Sequence, residues 1–134
     1  MIDTMNKTLS VLLVDDDDDF LLQQEIRFRN AGFEVRKAVD TQQAMAEIAK
    51  ARPDVAVVDL MLEHVDSGFT LCHQIKKADP TIPVILVSSV ASETGLEFDA
   101  ATDEERSWVK ADVMLAKPIR FEQLYREVER LLKQ

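Results

Sequence analysis

The sequence predicts an α/β domain in which a doubly wound, five-stranded parallel sheet carries helices on both faces. Short apolar runs alternate with helical segments five times along the 134 residues. Most of these runs are apolar throughout, which is typical of parallel strands covered on both faces. Gly and Pro fall singly between the segments, as they do inside one compact domain. We therefore expect a single domain at 9–134, after a disordered lead-in at 1–8.

The residue pattern defines the elements in order. Five short runs are predicted as strands, at 10–14, 33–38, 55–58, 84–87 and 113–115. Helical periodicity predicts helices at 20–31, 40–51, 68–78 and 120–133. A capping box formed by Thr102 and Glu105 predicts one further short helix that starts near Asp103.

Each long helix has its own periodic signal. In the first helix Leu22, Ile26 and Arg29 share one stripe, and Gly32 provides the C-terminal stop. The second helix has Asp40 or Thr41 as its N-cap. Its predicted inward residues are Ala44, Met45 and Ile48, and those of the last helix are Phe121, Leu124, Val128, Leu131 and Leu132.

Composition limits the classes of function. The formal net charge of −9 argues against a nucleic-acid-binding surface and fits basic or cationic partners, including metal ions. Cys72 is the only cysteine, which excludes an intrachain disulfide and favours a reducing compartment. No apolar run approaches the ~20 residues of a membrane span, and the start lacks a signal-peptide pattern. We expect no membrane association and a cytoplasmic location.

Polar side chains follow four of the predicted strands. Asp15 and Asp16 come after the first strand, Asp59 after the third, Ser88 after the fourth and Lys117 after the fifth. Because the carboxyl ends of parallel strands meet at one rim of the sheet, we expect these side chains to converge there.

The chemistry of this group of side chains is coherent. Three crowded carboxylates need a cation, and hard oxygen ligands suit Mg²⁺, with water completing its octahedron. A carboxylate beside Mg²⁺ and a lysine can attack phosphorus, since both cations offset charge on the transferring phosphoryl group. The pattern therefore predicts phosphoryl chemistry at the rim.

The chain resembles the receiver domain of two-component response regulators over almost its whole length. The matching stretches are VLLVDD, PDVAVVDLMLEHVDSG, PVILVSS and AKPI, in that order and each at a strand end. The resemblance implies a flavodoxin-like sheet with strand order 2-1-3-4-5. It also implies a phosphorelay role, in which a sensor histidine kinase or phosphotransfer protein donates a phosphoryl group and the receiver signals by a surface change. Such a module is not an enzyme, since it catalyses only its own phosphorylation and dephosphorylation.

The resemblance assigns roles to individual residues. Asp59 matches the phosphoacceptor. The family's metal ligands match three carboxylates and one backbone carbonyl. Asp16 matches the direct ligand and Asp15 the ligand that acts through water. Asp59 and the backbone carbonyl of Met61 match the other two. Ser88 matches the Ser/Thr that hydrogen-bonds the phosphoryl group. Lys117 matches the lysine that pairs with the phosphoryl group. Pro118 matches the proline after that lysine, whose peptide bond is often cis in this family.

The remaining aspartates of the run DDDDD have a simpler interpretation. Asp17, Asp18 and Asp19 belong to the loop and first turn of the following helix, where negative charge meets the positive end of the helix dipole. We expect Asp18 or Asp19 to cap free N–H groups there.

The sequence departs from the family pattern at several positions. Glu63 stands where a proline is usual, and Met114 stands where an aromatic residue is common. The span from Ser88 to Lys117 is longer than usual, and we expect an unknown downstream partner to bind through 90–112 and the last helix. We expect no output domain after that helix and therefore a stand-alone receiver, as a monomer or weak dimer.

Two alternatives from other classes remain open. A haloacid-dehalogenase-type phosphatase has its nucleophile and acid as D-x-D after the first strand, a spacing that Asp15 and Asp17 satisfy. The Thr expected two residues further on is Asp19, however, and Asp59 would have no role. The other alternative is a non-phosphorylated pseudo-receiver that only binds a partner. The presence of all five site residues argues against it.

Overall fold

Five parallel strands form the centre of the computed structural model, which describes residues 8–60, 62, 67–88 and 111–133. They are β1 (Ser10–Val14), β2 (Glu34–Ala38), β3 (Val55–Asp59), β4 (Val84–Ser88) and β5 (Val113–Ala116). The sheet has the order β2-β1-β3-β4-β5, and every neighbouring pair is parallel. The predicted fold class and strand order are therefore confirmed.

Helices cover both faces of this sheet. They are α1 (Asp18–Asn30), α2 (Thr41–Lys50), α3 (Ser67–Ala78) and α4 (Phe121–Leu132). Successive residues of β1 point to opposite faces, so Leu12 belongs to one apolar cluster and Leu13 to the other. The first cluster includes buried side chains of α2 and α3, and the second includes those of α1 and α4. This division explains why β1, β3 and β4 are buried along their whole length.

The buried face of α1 differs from the predicted stripe. Leu21, Gln24 and Phe28 are buried, whereas Leu22 and Ile26 are 54% and 51% exposed. The ring of Phe28 lies 5.1 Å from that of Phe121 on α4, in an edge-to-face arrangement. Burying this large aromatic side chain outweighs burying the aliphatic pair. The helix is therefore rotated so that Phe28 faces the core.

The cap of α1 also differs from the prediction. Asp17, not Asp18 or Asp19, is the N-cap, because its carboxylate accepts hydrogen bonds from the backbone N–H groups of Asp19 at 3.0 Å and Phe20 at 3.2 Å. The helix consequently begins two residues before the predicted start at 20. Its end agrees with the prediction, since Gly32 follows with a φ of 97°.

The other described helices follow their predicted patterns. Asp40 caps α2 by accepting a hydrogen bond from the N–H of Gln43 at 2.8 Å. Ala44 is buried, with Met45 and Ile48 packed against the same apolar cluster. In α4, Leu124 and Val128 are buried, while Phe121, Leu131 and Leu132 pack against the second cluster.

Some expectations fall outside the described residues. These are most of the lead-in at 1–8, the short helix near Asp103, and nearly all of the segment 90–112. Within the described part, no helix combines the length and apolar character that crossing a membrane requires.

Gly68 allows α3 to begin against the end of β3. Its N–H donates a 2.7 Å hydrogen bond to the carbonyl of Leu60. A Cβ at this position would clash with the Cα of Leu60 and would lie 2.5 Å from the carbonyl oxygen of Asp59. The backbone that carries Asp59 therefore requires glycine here.

Gly68→Ala is expected to lower the free energy of unfolding by about 3 kcal/mol, because the backbone of the buried β3 end must move. Gly32→Ala is the matched control, since its Cβ would meet nothing within 4 Å and only the positive φ is unfavourable. We expect that control to cost about 1 kcal/mol. Urea unfolding measures both, and equal losses in the two variants would contradict the close-approach explanation.

Candidate functional site

Backbone pairing fixes the positions of the polar residues at the carboxyl rim of the sheet. Asp59 lies opposite Val87 of β4, and Ser88 lies opposite Ala116 of β5. Pairing continues past the strands, since the N–H of Lys117 donates to the carbonyl of Ser88 at 2.8 Å. The N–H of Asp15 likewise donates to the carbonyl of Ala38 at 3.1 Å. The rim residues are therefore held by the sheet itself.

Three carboxylates come together at this rim. Asp15, Asp16 and Asp59 each offer an oxygen, and these oxygens all lie within 4.8 Å of one another. Asp15 and Asp59 are buried, at 1% and 7% exposure, whereas Asp16 is exposed. The cluster is therefore anchored in the protein on one side and reaches solvent through Asp16.

Lys117 places a positive charge beside two of these carboxylates. Its Nζ lies 3.0 Å from Oδ2 of Asp15 and 3.5 Å from Oδ1 of Asp59. The same ammonium lies over the face of the Phe20 ring, with the ring centroid 4.7 Å from Nζ. The Lys117–Pro118 peptide bond is cis, in agreement with the resemblance.

The environment of the site changes the proton affinity of its groups. Burial raises the pKa of Asp59 to about 6; the charge of Asp15 adds to the rise and Lys117 opposes it. Burial also raises the pKa of Asp15, although hydrogen bonds from Asp17 and Lys117 oppose the rise. Burial alone would lower the pKa of Lys117, but the hydrogen bond and charge of Asp15 and the charge of Asp59 raise it above its usual value.

Both oxygens of Asp15 already have partners within the protein. Oδ1 accepts a 2.9 Å hydrogen bond from the N–H of Asp17, and Oδ2 accepts one from Lys117. Asp16, in contrast, presents its carboxylate on the exposed side of the cluster. The two neighbours in the sequence therefore have different environments.

The donor set fits a small divalent cation. Three carboxylates supply hard oxygen ligands, and the exposed side at Asp16 leaves room for the water molecules that Mg²⁺ retains. Without a cation, only Lys117 offsets the charge of this cluster among the contacts of the described residues. The arrangement thus has the chemistry of a metal site.

Two sequence-predicted site residues, together with Glu63, remain to be located. Ser88 is buried, 2% exposed, at the end of β4 next to the Asp59 strand. Met61 and Glu63 lie outside the described residues. The structure thus brings Asp15, Asp16, Asp59 and Lys117 into contact distance, with Ser88 at the adjoining strand end.

The sequence did not reveal two residues that shape this rim. Gly68 entered the sequence analysis as the first residue of the predicted helix at 68–78. Its close approach to Leu60 and Asp59 joins residues eight and nine positions apart and is not visible in the local pattern. Nothing in the sequence indicated that Phe20 meets Lys117, because the contact joins α1 to the end of β5.

The phosphatase alternative does not agree with this arrangement. Its acid would be Asp17, but the Asp17 carboxylate points back to cap α1. Asp59, which that alternative leaves without a role, lies inside the carboxylate cluster beside Lys117. The geometry favours a site centred on the end of β3.

The raised pKa of Asp59 has a consequence for stability. The ionised form is destabilised in the folded state, so the penalty is absent below about pH 4 and complete above about pH 6. In the absence of divalent cations, Asp59→Asn is expected to gain about 1–3 kcal/mol over wild type as the pH rises from about 4 to about 7. Urea unfolding in chelator measures this gain.

Asp18→Asn is the control for this prediction, since it removes an exposed charge from the same acidic run. If the stability gain of Asp18→Asn over wild type rose with pH as much as that of Asp59→Asn, the burial of Asp59 would not be the cause of the gain.

Known proteins resemble this chain in sequence. The family model described as the response regulator receiver domain matches residues 11–129. The DNA-binding dual master transcriptional regulator RpaA of Synechocystis is 30% identical over 127 residues, which cover 92% of this chain and 48% of that protein. The transcriptional regulatory protein PrrA of Mycobacterium leprae is 32% identical over 135 residues, which cover 98% of this chain and 53% of that protein. The chain thus spans about half the length of these two relatives.

A solved structure has the same fold. The crystal structure of a CheY-like response regulator receiver domain protein from Methanospirillum hungatei superposes with a TM-score of 0.78, covers 95% of each chain and is 22% identical. At this identity the likeness concerns the fold, and it agrees with the strand order observed here.

Proposed function

The chain belongs to the response regulator receiver domain family of two-component systems, and from this premise we propose that Asp59 is its phosphoacceptor. The observation that carries the proposal is the position of Asp59, buried at the end of a central strand, within the carboxylate cluster and 3.5 Å from Lys117. The phosphoryl group would come from a histidine of a sensor kinase or phosphotransfer protein.

The proposed transfer is a simple displacement. The Asp59 carboxylate attacks phosphorus, a P–O bond forms, the P–N bond of the phosphohistidine breaks, and the electron pair returns to the donor imidazole. Lys117 offsets negative charge on the phosphoryl oxygens, because its ammonium already lies between Asp15 and Asp59. Ser88, at the next strand end, donates its hydroxyl hydrogen to a phosphoryl oxygen.

Asp15, Asp16 and Asp59, with the backbone carbonyl of Met61, would hold Mg²⁺, which when bound offsets charge on the phosphoryl group. We assign Asp16 as a direct ligand and Asp15 as a ligand through water. The contacts of Asp15 support this assignment, since Lys117 and the N–H of Asp17 occupy both of its oxygens. Asp16 carries its carboxylate on the exposed side, where a hydrated ion can approach.

Receiver domains are signalling modules rather than classical enzymes, and we propose that catalysis here is limited to the domain's own phosphorylation and dephosphorylation. Residues 9–134 would form one receiver domain, cytoplasmic, as a monomer or weak dimer. A downstream protein would bind through 90–112 and α4. The net charge of −9 supports the proposal that this domain itself does not bind nucleic acid.

Incubation with acetyl phosphate and Mg²⁺, followed by intact-mass measurement, tests the function. The expected product carries the mass of one phosphoryl group and forms only in the presence of the metal ion. A folded protein that acquires no adduct from acetyl phosphate or phosphoramidate would contradict the proposal and favour a pseudo-receiver that only binds a partner.

A further inference from the structure

We propose that Phe20 is a positioning residue, which holds the Lys117 ammonium at the rim through the face of its ring. The centroid of the ring lies 4.7 Å from Nζ, within the distance at which a cation is attracted to an aromatic face. This inference rests on the proposed function, because it concerns how Lys117 is oriented for phosphoryl transfer.

The backbone that carries the ring is fixed independently of Lys117. Phe20 lies in the first turn of α1, and its N–H donates to the capping carboxylate of Asp17 at 3.2 Å. The next residue, Leu21, is buried and donates its N–H to the Asp17 carbonyl at 3.0 Å. The ring is therefore presented to Lys117 by a capped and anchored helix start.

Packing against the described apolar clusters does not account for this ring. Phe20 is only half-buried, and among the described residues it belongs to neither of the two apolar clusters. Phe28 and Phe33, in contrast, are buried members of the second cluster. The contact assigned to the Phe20 ring is with the charged end of Lys117.

The ring has a distinct effect on a lysine in this environment. A lysine has a flexible four-carbon stem and a freely rotating ammonium, so carboxylates alone do not fix its direction. Asp15 and Asp59 attract the ammonium, but phosphorylation would change the group at Asp59. Phosphorylation does not change the Phe20 ring itself. It can therefore hold Lys117 in place before and after transfer.

Nuclear magnetic resonance of the metal-free, unphosphorylated protein tests the contact directly. With ¹³C-labelled lysine, the ε-methylene signal of Lys117, assigned by its loss in Lys117→Arg, is expected upfield of the other lysines because of the ring current. Phe20→Leu should abolish that shift, and Phe20→Tyr should retain it. Phe33→Leu is the control, because Phe33 lies directly before β2, at the end of the sheet away from the rim. This variant should leave the Lys117 signal unchanged.

Phosphorylation by acetyl phosphate tests the consequence. Phe20→Leu is expected to slow adduct formation about threefold to tenfold, and Phe20→Tyr should restore the rate to within about twofold, since it keeps an aromatic face. Equal rates for Phe20→Leu and Phe20→Tyr would show that the aromatic face does not act on the transfer.

The outcomes separate this inference from the function on which it rests. An unshifted Lys117 signal in the wild type, or rates equal for Phe20→Leu and wild type, would overturn the role of Phe20 while leaving Asp59 as acceptor. Absence of any adduct in the wild type would overturn the proposed function. The wild-type spectrum alone shows whether the Phe20 ring lies over the Lys117 ammonium, even if Phe20→Leu does not fold.

Discussion

Replacing Asp59 with asparagine is expected to abolish phosphorylation by acetyl phosphate in the presence of Mg²⁺. Asparagine preserves the shape of the side chain but removes the nucleophilic oxygen, and among the described residues no other carboxylate lies at the end of β3. Intact-mass measurement over time should show an adduct on wild type and none on the variant.

Asp18→Asn is the matched control for this experiment. It makes the same chemical change in the acidic run near the rim, on an exposed residue of the first turn of α1. The control should acquire the adduct at a rate close to that of wild type. An undiminished adduct on Asp59→Asn would remove Asp59 from the acceptor role.

Asp16→Asn is expected to weaken Mg²⁺ binding by about tenfold or more. Affinity at oxygen sites depends on the number of charged ligands, and this variant removes the carboxylate on the exposed side of the cluster. Asp15 cannot replace it freely, because its oxygens are held by Lys117 and the Asp17 N–H. Titration calorimetry with Mg²⁺ gives the change in affinity.

The same Asp18→Asn variant serves as a control for long-range charge effects on the metal. It should reduce the affinity much less than Asp16→Asn, because Asp18 is not part of the carboxylate cluster. Equal affinity losses in the two variants would mean that Asp16 acts only through general electrostatic attraction and is not a ligand.

The site was largely predictable because strand ends are a strong signal. Runs of apolar residues define the strands, and parallel pairing brings their carboxyl ends together whatever the details of the helices. For this reason Asp15, Asp16, Asp59 and Lys117 were placed together from the sequence, and the structure has them within contact distance. Their chemical roles stay predictions.

The orientation of α1 was not predictable in the same way. The local pattern predicts a stripe with Leu22 and Ile26, whereas the structure buries Leu21 and Phe28. The choice depends on Phe121 and Tyr125 of α4, whose rings lie 5.1 and 6.3 Å from that of Phe28. Such tertiary contacts are not visible in the local pattern of a single helix.

The five consecutive aspartates illustrate how position decides role. Asp15 and Asp16 follow β1 directly and join the carboxylate cluster, whereas Asp17 turns back to cap α1. Asp18 and Asp19 lie exposed in the first turn, where the helix dipole favours negative charge. The prediction that the last three aspartates belong to the helix start was right, whereas the predicted capping residue and the predicted start at residue 20 were wrong.

Mapping the phosphorylated residue tests the central claim most directly. The acyl phosphate formed with acetyl phosphate and Mg²⁺ is reduced with borohydride, the protein is digested, and tandem mass spectrometry locates the reduced side chain. The proposed function predicts a single modified residue, Asp59, with unmodified peptides from the acidic run. Modification of Asp15 or Asp17, with Asp59 intact, would contradict it and support a nucleophile at the end of β1.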